Sequence, residues 1–329
     1  MLKKLIFSST LLVFLVVVFG AFVRLTDAGL GCPDWPGCYG HLTVPESQAD
    51  QHSAMQNFPG KKIETGKAWR EMIHRYLAGT LGLLILLIAL LSWRNRHNGA
   101  PVKTPIALVA LVIFQALLGM WTVTLLLKPV IVTLHLLGGM TILGILVWLA
   151  MKHFSAQPDP AVRASISRNW AIVGIVILFT QIALGGWVSS NYAALACTDF
   201  PLCDSQWIPP LDFKHGFQII RELGVTQDGA PLSSEAMNAI HWTHRAGALA
   251  TLVYLLLLGL TVLKDSGLRV YGGLLLFFLL AQVSIGVANI VYSLPLPLAV
   301  AHNAGAALLV MAMVMLTYKL KPGRAGTWQ

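Results

Sequence analysis

The stretch Leu30–Cys38, LGCPDWPGC, returns at Leu195–Cys203 as LACTDFPLC, 165 positions later. Leu, Cys, Asp, an aromatic residue, Pro and a closing Cys keep the same register in both copies. The likeness runs upstream, where Gly20 and Val23 in GAFVRLTDA align with Gly185 and Val188 in GGWVSSNYA. It also runs downstream. FQALLG at 114–119 matches AQVSIG at 281–286, keeping Gln115 with Gln282 and Gly119 with Gly286, and a further Gln-x-x-x-Gly stands at Gln181 and Gly185. HRYLAG from His74 resembles HRAG from His244, and PVIVTLHLLGG at 129–139 resembles LPLAVAHNAGA at 296–306. The chain is written twice, and the doubled unit sets the fold.

Composition gives that unit its class. The 329 residues are 56% hydrophobic and 11% charged, too little charge to cover a soluble domain of this size. Apolar runs near 5–25, 72–93, 104–126, 131–151, 170–190, 241–263, 269–291 and 298–318 reach the roughly 20 residues that a helix needs to cross a bilayer. The expectation is an all-α polytopic membrane protein with eight transmembrane helices. Helices 1–4 and 5–8 are then copies of one four-helix unit. Both copies begin on the same side of the membrane, so the repeat is parallel, about an axis along the membrane normal. Two pseudo-symmetric four-helix bundles follow, one over 1–155 and one over 156–329.

Lys3 and Lys4 before an apolar run resemble a signal peptide, but the run is too long for a signal core and no cleavage site follows. GLGC ending at Cys32 resembles a lipoprotein cleavage box, yet Arg24, Thr26 and Asp27 separate it from the apolar run. The formal charge of +9 does not indicate nucleic acid, because of where it sits. Lys3, Lys4, Arg94, Arg96, Lys103, Lys152, Arg163, Arg168, Lys264, Arg269, Lys319, Lys321 and Arg324 mark the termini and every second connection. The positive-inside rule then places both termini in the cytoplasm and loops 26–71 and 191–240 outside, with membrane lipid as the surroundings.

All four cysteines fall in those outer loops, one pair in each. An oxidising outer compartment predicts disulfides Cys32–Cys38 and Cys197–Cys203, each worth roughly 2 kcal/mol on the chain-entropy model. Zinc is disfavoured, since neither loop supplies a second pair to complete a tetrahedral set. The pairs read either as structural staples or as redox centres fed by a thiol carrier.

His74, His135, His244 and His302 fall on helices 2, 4, 6 and 8, each one or two turns inside the outer end. Ionisable groups within membrane helices are costly and mark function. One buried histidine is more often a satisfied polar group than a ligand; four, paired by a repeat at equal depth, point to a site. With no carboxylate or thiolate at matching positions, zinc would be under-ligated. Haem needs only two axial ligands, which facing helices of a bundle supply. Gly138, Gly247 and Gly305 each follow a histidine by three residues, on the same helical face. They either let a flat macrocycle approach or let helices pack closely. Arg75 and Arg245 read as partners of haem propionates or as ordinary interfacial arginines.

The copies differ at one telling place. Glu71 stands one turn before His74, whereas His241 stands before His244. Glu71 reads as a group that orients its histidine, offsets a cationic intermediate or carries protons, or as a helix-start acid favoured by the dipole. His241 competes with His244 as an iron ligand, and the Arg245 that follows His244, as Arg75 follows His74, favours His244. His41, His52, His97, His153 and His215 read as solvated surface residues.

The Glu-x-x-His-Arg of 71–75, the His-Arg of 244–245, His135, His302 and both Cys-x5-Cys loops together resemble the haem A synthase family over nearly the whole chain. The resemblance implies a membrane oxidoreductase that converts haem O to haem A for cytochrome oxidase. One porphyrin methyl becomes a formyl group through two hydroxylations and loss of water from the gem-diol. The resemblance also implies a haem b cofactor on His244 and His302, and substrate haem on His74 and His135. It places the functional glutamate at Glu71 and the family's outer-loop cysteine pair at Cys32 and Cys38. Glu71, His74 and His135 would form the catalytic set. The implied location is the bacterial cytoplasmic (inner) membrane, with haem sites near the outer face. Implied partners are haem O synthase and cytochrome oxidase assembly proteins, and a homo-oligomer is compatible with all of this. A di-haem b-type electron-transfer protein would use the same four ligands, but would want haems near both faces. A transporter with duplicated halves would show broken helices and midplane charges, which these runs lack.

Overall fold

The structure, a computed structural model, describes residues 1–98, 100–154 and 166–320. Its helices are α1 (Leu2–Leu25), α2 (Gln48–Asn57), α3 (Thr65–Arg94), α4 (Lys103–Thr124), α5 (Pro129–Phe154), α6 (Arg168–Ser190), α7 (Phe213–Gly216), α8 (Ser234–Leu263), α9 (Arg269–Val291) and α10 (Leu296–Lys319). All but the short α2 and α7 are long and apolar enough to cross a membrane, so the protein is a multi-pass helical membrane protein. The domain boundary expected at 155/156, and Arg163, Lys321 and Arg324, lie outside the described residues.

The eight expected spans fall on these eight helices, but α3 and α8 begin seven residues before their apolar runs. Capping, not hydrophobicity, sets the start of α8. Ser233 accepts a hydrogen bond from the N–H of Ala236, with Glu235 in the first turn, the arrangement that satisfies orphan donors and complements the helix dipole. Short turns join α4 to α5 and α9 to α10. Each holds two residues in the left-handed region, Leu126 and Leu127 in one and Ser293 and Leu294 in the other.

Packing follows the repeat. α1 packs on α3 and α5, and α4 on α3 and α5; α6 packs on α8 and α10, and α9 on α8 and α10. Between these sets, α5 meets α6 and α10, and α10 meets α1. One buried cluster runs through both, including Ile85 of α3, Leu143 and Leu146 of α5, Leu255 of α8 and Met313 of α10. In lipid, close packing rather than water exclusion draws helices together. Gly174 serves that end: a Cβ there would stand 2.7 Å from Met313 of α10 and 3.2 Å from Leu255 of α8. The outward faces carry Leu83, Val270 and Phe277, apolar and largely exposed, as lipid requires.

At the outer end, Arg24 donates to the Ser189 carbonyl at 2.7 Å and lies 4.2 Å from the Tyr192 ring centroid. The Tyr192 hydroxyl donates to Asp27 at 2.8 Å. Arg24 with Ser189, and Asp27 with Tyr192, are each 165 residues apart, so each pair joins positions that the repeat aligns.

Candidate functional site

The four histidines share one local design. His74 lies on α3, His135 on α5, His244 on α8 and His302 on α10. Because α3 and α8 start early, His74 and His244 sit more than two turns inside them. Each imidazole Cε1 abuts a glycine of the neighbouring helix. A Cβ at Gly20 would stand 2.9 Å from His74, at Gly119 3.2 Å from His135, at Gly185 3.0 Å from His244 and at Gly286 3.0 Å from His302. Real Cβ atoms scarcely approach so closely, so only glycine lets these rings lie where they do. His74 is within electrostatic reach of His135, and His244 of His302, which pairs them as the repeat pairs them.

Their unspent valences suit an axial role. The Nδ1 atoms of His74, His135 and His302 are buried without a hydrogen-bond partner. Among the described residues no hydrogen bond reaches Nε2 of any of the four. Leaving a buried polar atom unpaired costs about 1–3 kcal/mol, and the Nε2 atoms are left open to a bound group. Among the described residues no three of His, Cys, Asp or Glu converge to hold a bare metal ion. An iron already held by a macrocycle, needing two axial imidazoles, fits this donor set.

Gly138, Gly247 and Gly305 let the neighbouring helix pack closely, one of the two uses expected of them. A Cβ at each would overlap the carboxamide oxygen of Gln115, Gln181 or Gln282 on the neighbouring helix. Gln115 Nε2 donates to the His135 carbonyl at 2.6 Å, and Gln181 Nε2 to the His244 carbonyl at 3.0 Å. Gln181 Nε2 also lies 3.0 Å from His244 Nδ1. The repeat had marked these glutamines without saying what they touch.

Glu71 is not a helix-start acid: it lies well inside α3 and is 4% exposed. Its Oε2 accepts from the Cys32 N–H at 2.9 Å and its Oε1 from Arg75 at 2.5 Å. Arg75 also donates to the carbonyls of Asp34 (3.0 Å), Pro36 (3.2 Å) and Gly37. The second half repeats the frame with one exchange. His241 Nδ1 accepts from the Cys197 N–H at 3.2 Å, and Arg245 Nε donates toward His241 Nε2 at 3.4 Å. Arg245 donates to the carbonyls of Leu202 (2.7 Å), Cys197 (2.8 Å) and Asp199 (2.9 Å). Both guanidiniums are thus spent on the cysteine loops, not held open for propionates. Both ring nitrogens of His241 thus face donors of its own loop and helix, whereas Nε2 of His244 meets no hydrogen-bond partner among the described residues.

The doubled phrase now has a physical reason. Cys32–Cys38 and Cys197–Cys203 are disulfides, with all four sulfur-bearing residues buried. Inside each loop the aspartate folds the turn. Asp34 accepts from the N–H groups of Tyr39 (2.6 Å) and Gly40 (2.9 Å), and Asp199 from those of Asp204 (2.9 Å) and Ser205 (2.8 Å). The Ser205 N–H, above all, holds the Asp199 carboxyl below its ordinary range. Of the remaining histidines, His52 and His97 are exposed. His153 Nδ1 bonds the Leu149 carbonyl and His215 Nδ1 bonds Asp212, local contacts that leave both outside the site.

The family described as cytochrome oxidase assembly protein matches residues 3–314. A heme A synthase of Shewanella oneidensis is 44% identical over 310 residues, covering 93% of this chain and 92% of the relative. Heme A synthases of Sphingopyxis alaskensis (28% identical, 97% of this chain and 92% of the relative) and Nitrosospira multiformis (27%, 96% and 92%) match almost end to end.

Proposed function

Because the chain belongs to the cytochrome oxidase assembly protein family, we propose that it is a haem A synthase, an oxidoreductase that turns a methyl group of haem O into the formyl group of haem A. The observation that carries this reading is the unlike pair of half-sites. Two histidine pairs are built alike, each ring backed by a glycine, yet Glu71 stands in one where His241 stands in the other.

In this reading residues 1–155 form an N-terminal four-helix bundle that receives haem O on His74 and His135. Residues 156–329 form a C-terminal bundle that keeps haem b on His244 and His302. Helix contacts that recur between α1–α5 and α6–α10, and the meeting of Arg24 with Ser189, support a pseudo-two-fold relation between the bundles. The basic residues of every second connection support cytoplasmic termini, a bacterial inner-membrane location and haem sites toward the outer face. Haem O synthase and oxidase assembly proteins are the natural neighbours.

Bound haem b would supply the one-electron and oxygen chemistry that no side chain provides. The chain's own residues bind and aim. The imidazoles fix each macrocycle, and the disulfide loops roof the sites. Arg75 and the Cys32 N–H hold the Glu71 carboxyl in place. A carboxyl so held is the group that takes a proton or offsets positive charge as the methyl is oxidised. The two hydroxylations and the closing loss of water ask for such a group at the substrate site and not at the cofactor site.

The test uses a host that lacks haem A and is supplied with haem O synthase. The unaltered chain should yield formyl-bearing haem A beside haem B on extraction and mass analysis. Glu71→Ala should keep haem at both sites and accumulate unoxidised haem O. Haem B alone from the unaltered chain would instead make it an electron carrier, and normal haem A from Glu71→Ala would remove Glu71 from the chemistry.

A further inference from the structure

We propose that Gln115, Gln181 and Gln282 are positioning residues that latch three of the four histidines, and that the missing latch at His74 makes His74 the ligand that lets its haem go. This rests on the reading above that the four histidines hold haem. Three features of the molecule carry it.

The first is spacing. Each glutamine precedes by four residues the glycine that backs a histidine: Gln115 and Gly119, Gln181 and Gly185, Gln282 and Gly286. Across the helix pair, the glycine three residues after that histidine clears room for the carboxamide. The two parts form one device on two helices.

The second is unspent hydrogen bonding. The Oε1 atoms of all three glutamines are buried without a donor, and the main chain of Gln115 and of Gln282 faces the rings of His135 and His302. An imidazole that binds iron through Nε2 carries its proton on Nδ1, and such ligands donate that proton to a fixed acceptor. In the sites of His135 and His302 the glutamine therefore backs the imidazole with its main chain, while its carboxamide lies against the glycine one turn beyond the histidine. At His244 the Gln181 carboxamide nitrogen lies 3.0 Å from both Nδ1 and the His244 carbonyl, and so holds the ring and its backbone together.

The third is the exception. Four residues before Gly20 stands Val16, and three residues after His74 stands Leu77. Both parts of the device are missing together, and His74 Nδ1 is buried with no partner. An acceptor on Nδ1 fixes the ring and makes it a stronger donor to iron. The C-terminal half thus has two latched ligands, suited to a group that stays. The N-terminal half has one latched ligand and one loose one, suited to a group that arrives, reacts and leaves.

The test follows haem release from the purified full-length protein into excess apo-globin, with absorbance and resonance Raman spectra to distinguish the sites. Gln282→Leu and Gly305→Ala should each speed release from the C-terminal site about 10–100-fold, the usual effect of losing a partner behind a metal ligand. Because both disable one latch, the double variant should release no faster than the worse single one. Val16→Gln with Leu77→Gly should slow release from the N-terminal site about tenfold and shift its iron–imidazole band. His302→Ala tests the underlying reading, since it must abolish the bis-imidazole spectrum of the C-terminal haem. A surviving spectrum would overturn the ligand assignment itself. Loss of that spectrum in His302→Ala, with unaltered release from Gln282→Leu and Gly305→Ala, would sink the latch alone. An unchanged N-terminal release rate in the Val16→Gln, Leu77→Gly variant would sink the role given to His74.

Discussion

Replacing Arg245 by Met should open the second outer loop more than reducing its disulfide does. Arg245 makes three charge-assisted bonds to the carbonyls of Cys197, Asp199 and Leu202 at 2.7–2.9 Å. Bonds to a charged group contribute about 1.5–3 kcal/mol each when buried. This loop is partly exposed and its carbonyls rehydrate on opening, so the low end applies and the three together stabilise the closed loop by about 4 kcal/mol. The Cys197–Cys203 bridge spans a sequence separation of 6, and a ring that short contributes roughly 2 kcal/mol. Limited proteolysis from the outer side, in the regime where cleavage follows the open population, reads the difference. Cleavage within 191–212 should rise about 30-fold on reduction and about a thousandfold in Arg245→Met, with Arg245→Lys between because a single ammonium cannot span three carbonyls. Faster cleavage on reduction than in Arg245→Met would refute the ranking and make the disulfide the main restraint.

Arg75→Met should be worse than Arg245→Met for thermal stability, because it also strands the buried Glu71 carboxylate, a loss of about 3–5 kcal/mol. Adding Glu71→Gln should recover much of the unfolding midpoint and none of the haem A formation, which separates the structural from the chemical part of that pair. Gly31→Ala should cost about 2–3 kcal/mol, since its Cβ would stand 2.6–2.8 Å from the main chain of Lys67 and Ala68, which cannot yield as a side chain can. Gly66→Ala, whose Cβ meets nothing within 4 Å, should hold or raise the midpoint in the same thermal scan. Equal midpoints for these two glycine variants would show that the loop is not seated on α3 as described.

The helices were legible because twenty apolar residues in a row have few other fates. Their polar outer turns were not: hydropathy stops at 72 and 241, while α3 and α8 reach Thr65 and Ser234, the second under the Ser233 cap. That shift is why Glu71, an apparent helix-start acid, is buried. Histidine positions could be read along single helices, as a period can be. What stands opposite a residue cannot, and so Gln115, Gln181 and Gln282 showed only as marks of the repeat. Arg75 and Arg245 misled for a related reason. Their partners are backbone carbonyls, which every residue carries and no sequence announces.

Arg24 meets Ser189, and Asp27 meets Tyr192. On the two-bundle reading proposed above, positions aligned by duplication touch only where a two-fold axis exchanges the copies. A free-standing four-helix ancestor would have met its own twin at this seam. In such a dimer every change is made twice, and like must face like. Joined in one polypeptide, the halves were released from that rule. The seam now sets Arg against Ser and Asp against Tyr, and a glutamate at 71 no longer demands one at 241. Division of labour between the halves became possible only when partners that had been identical by necessity could be edited one at a time.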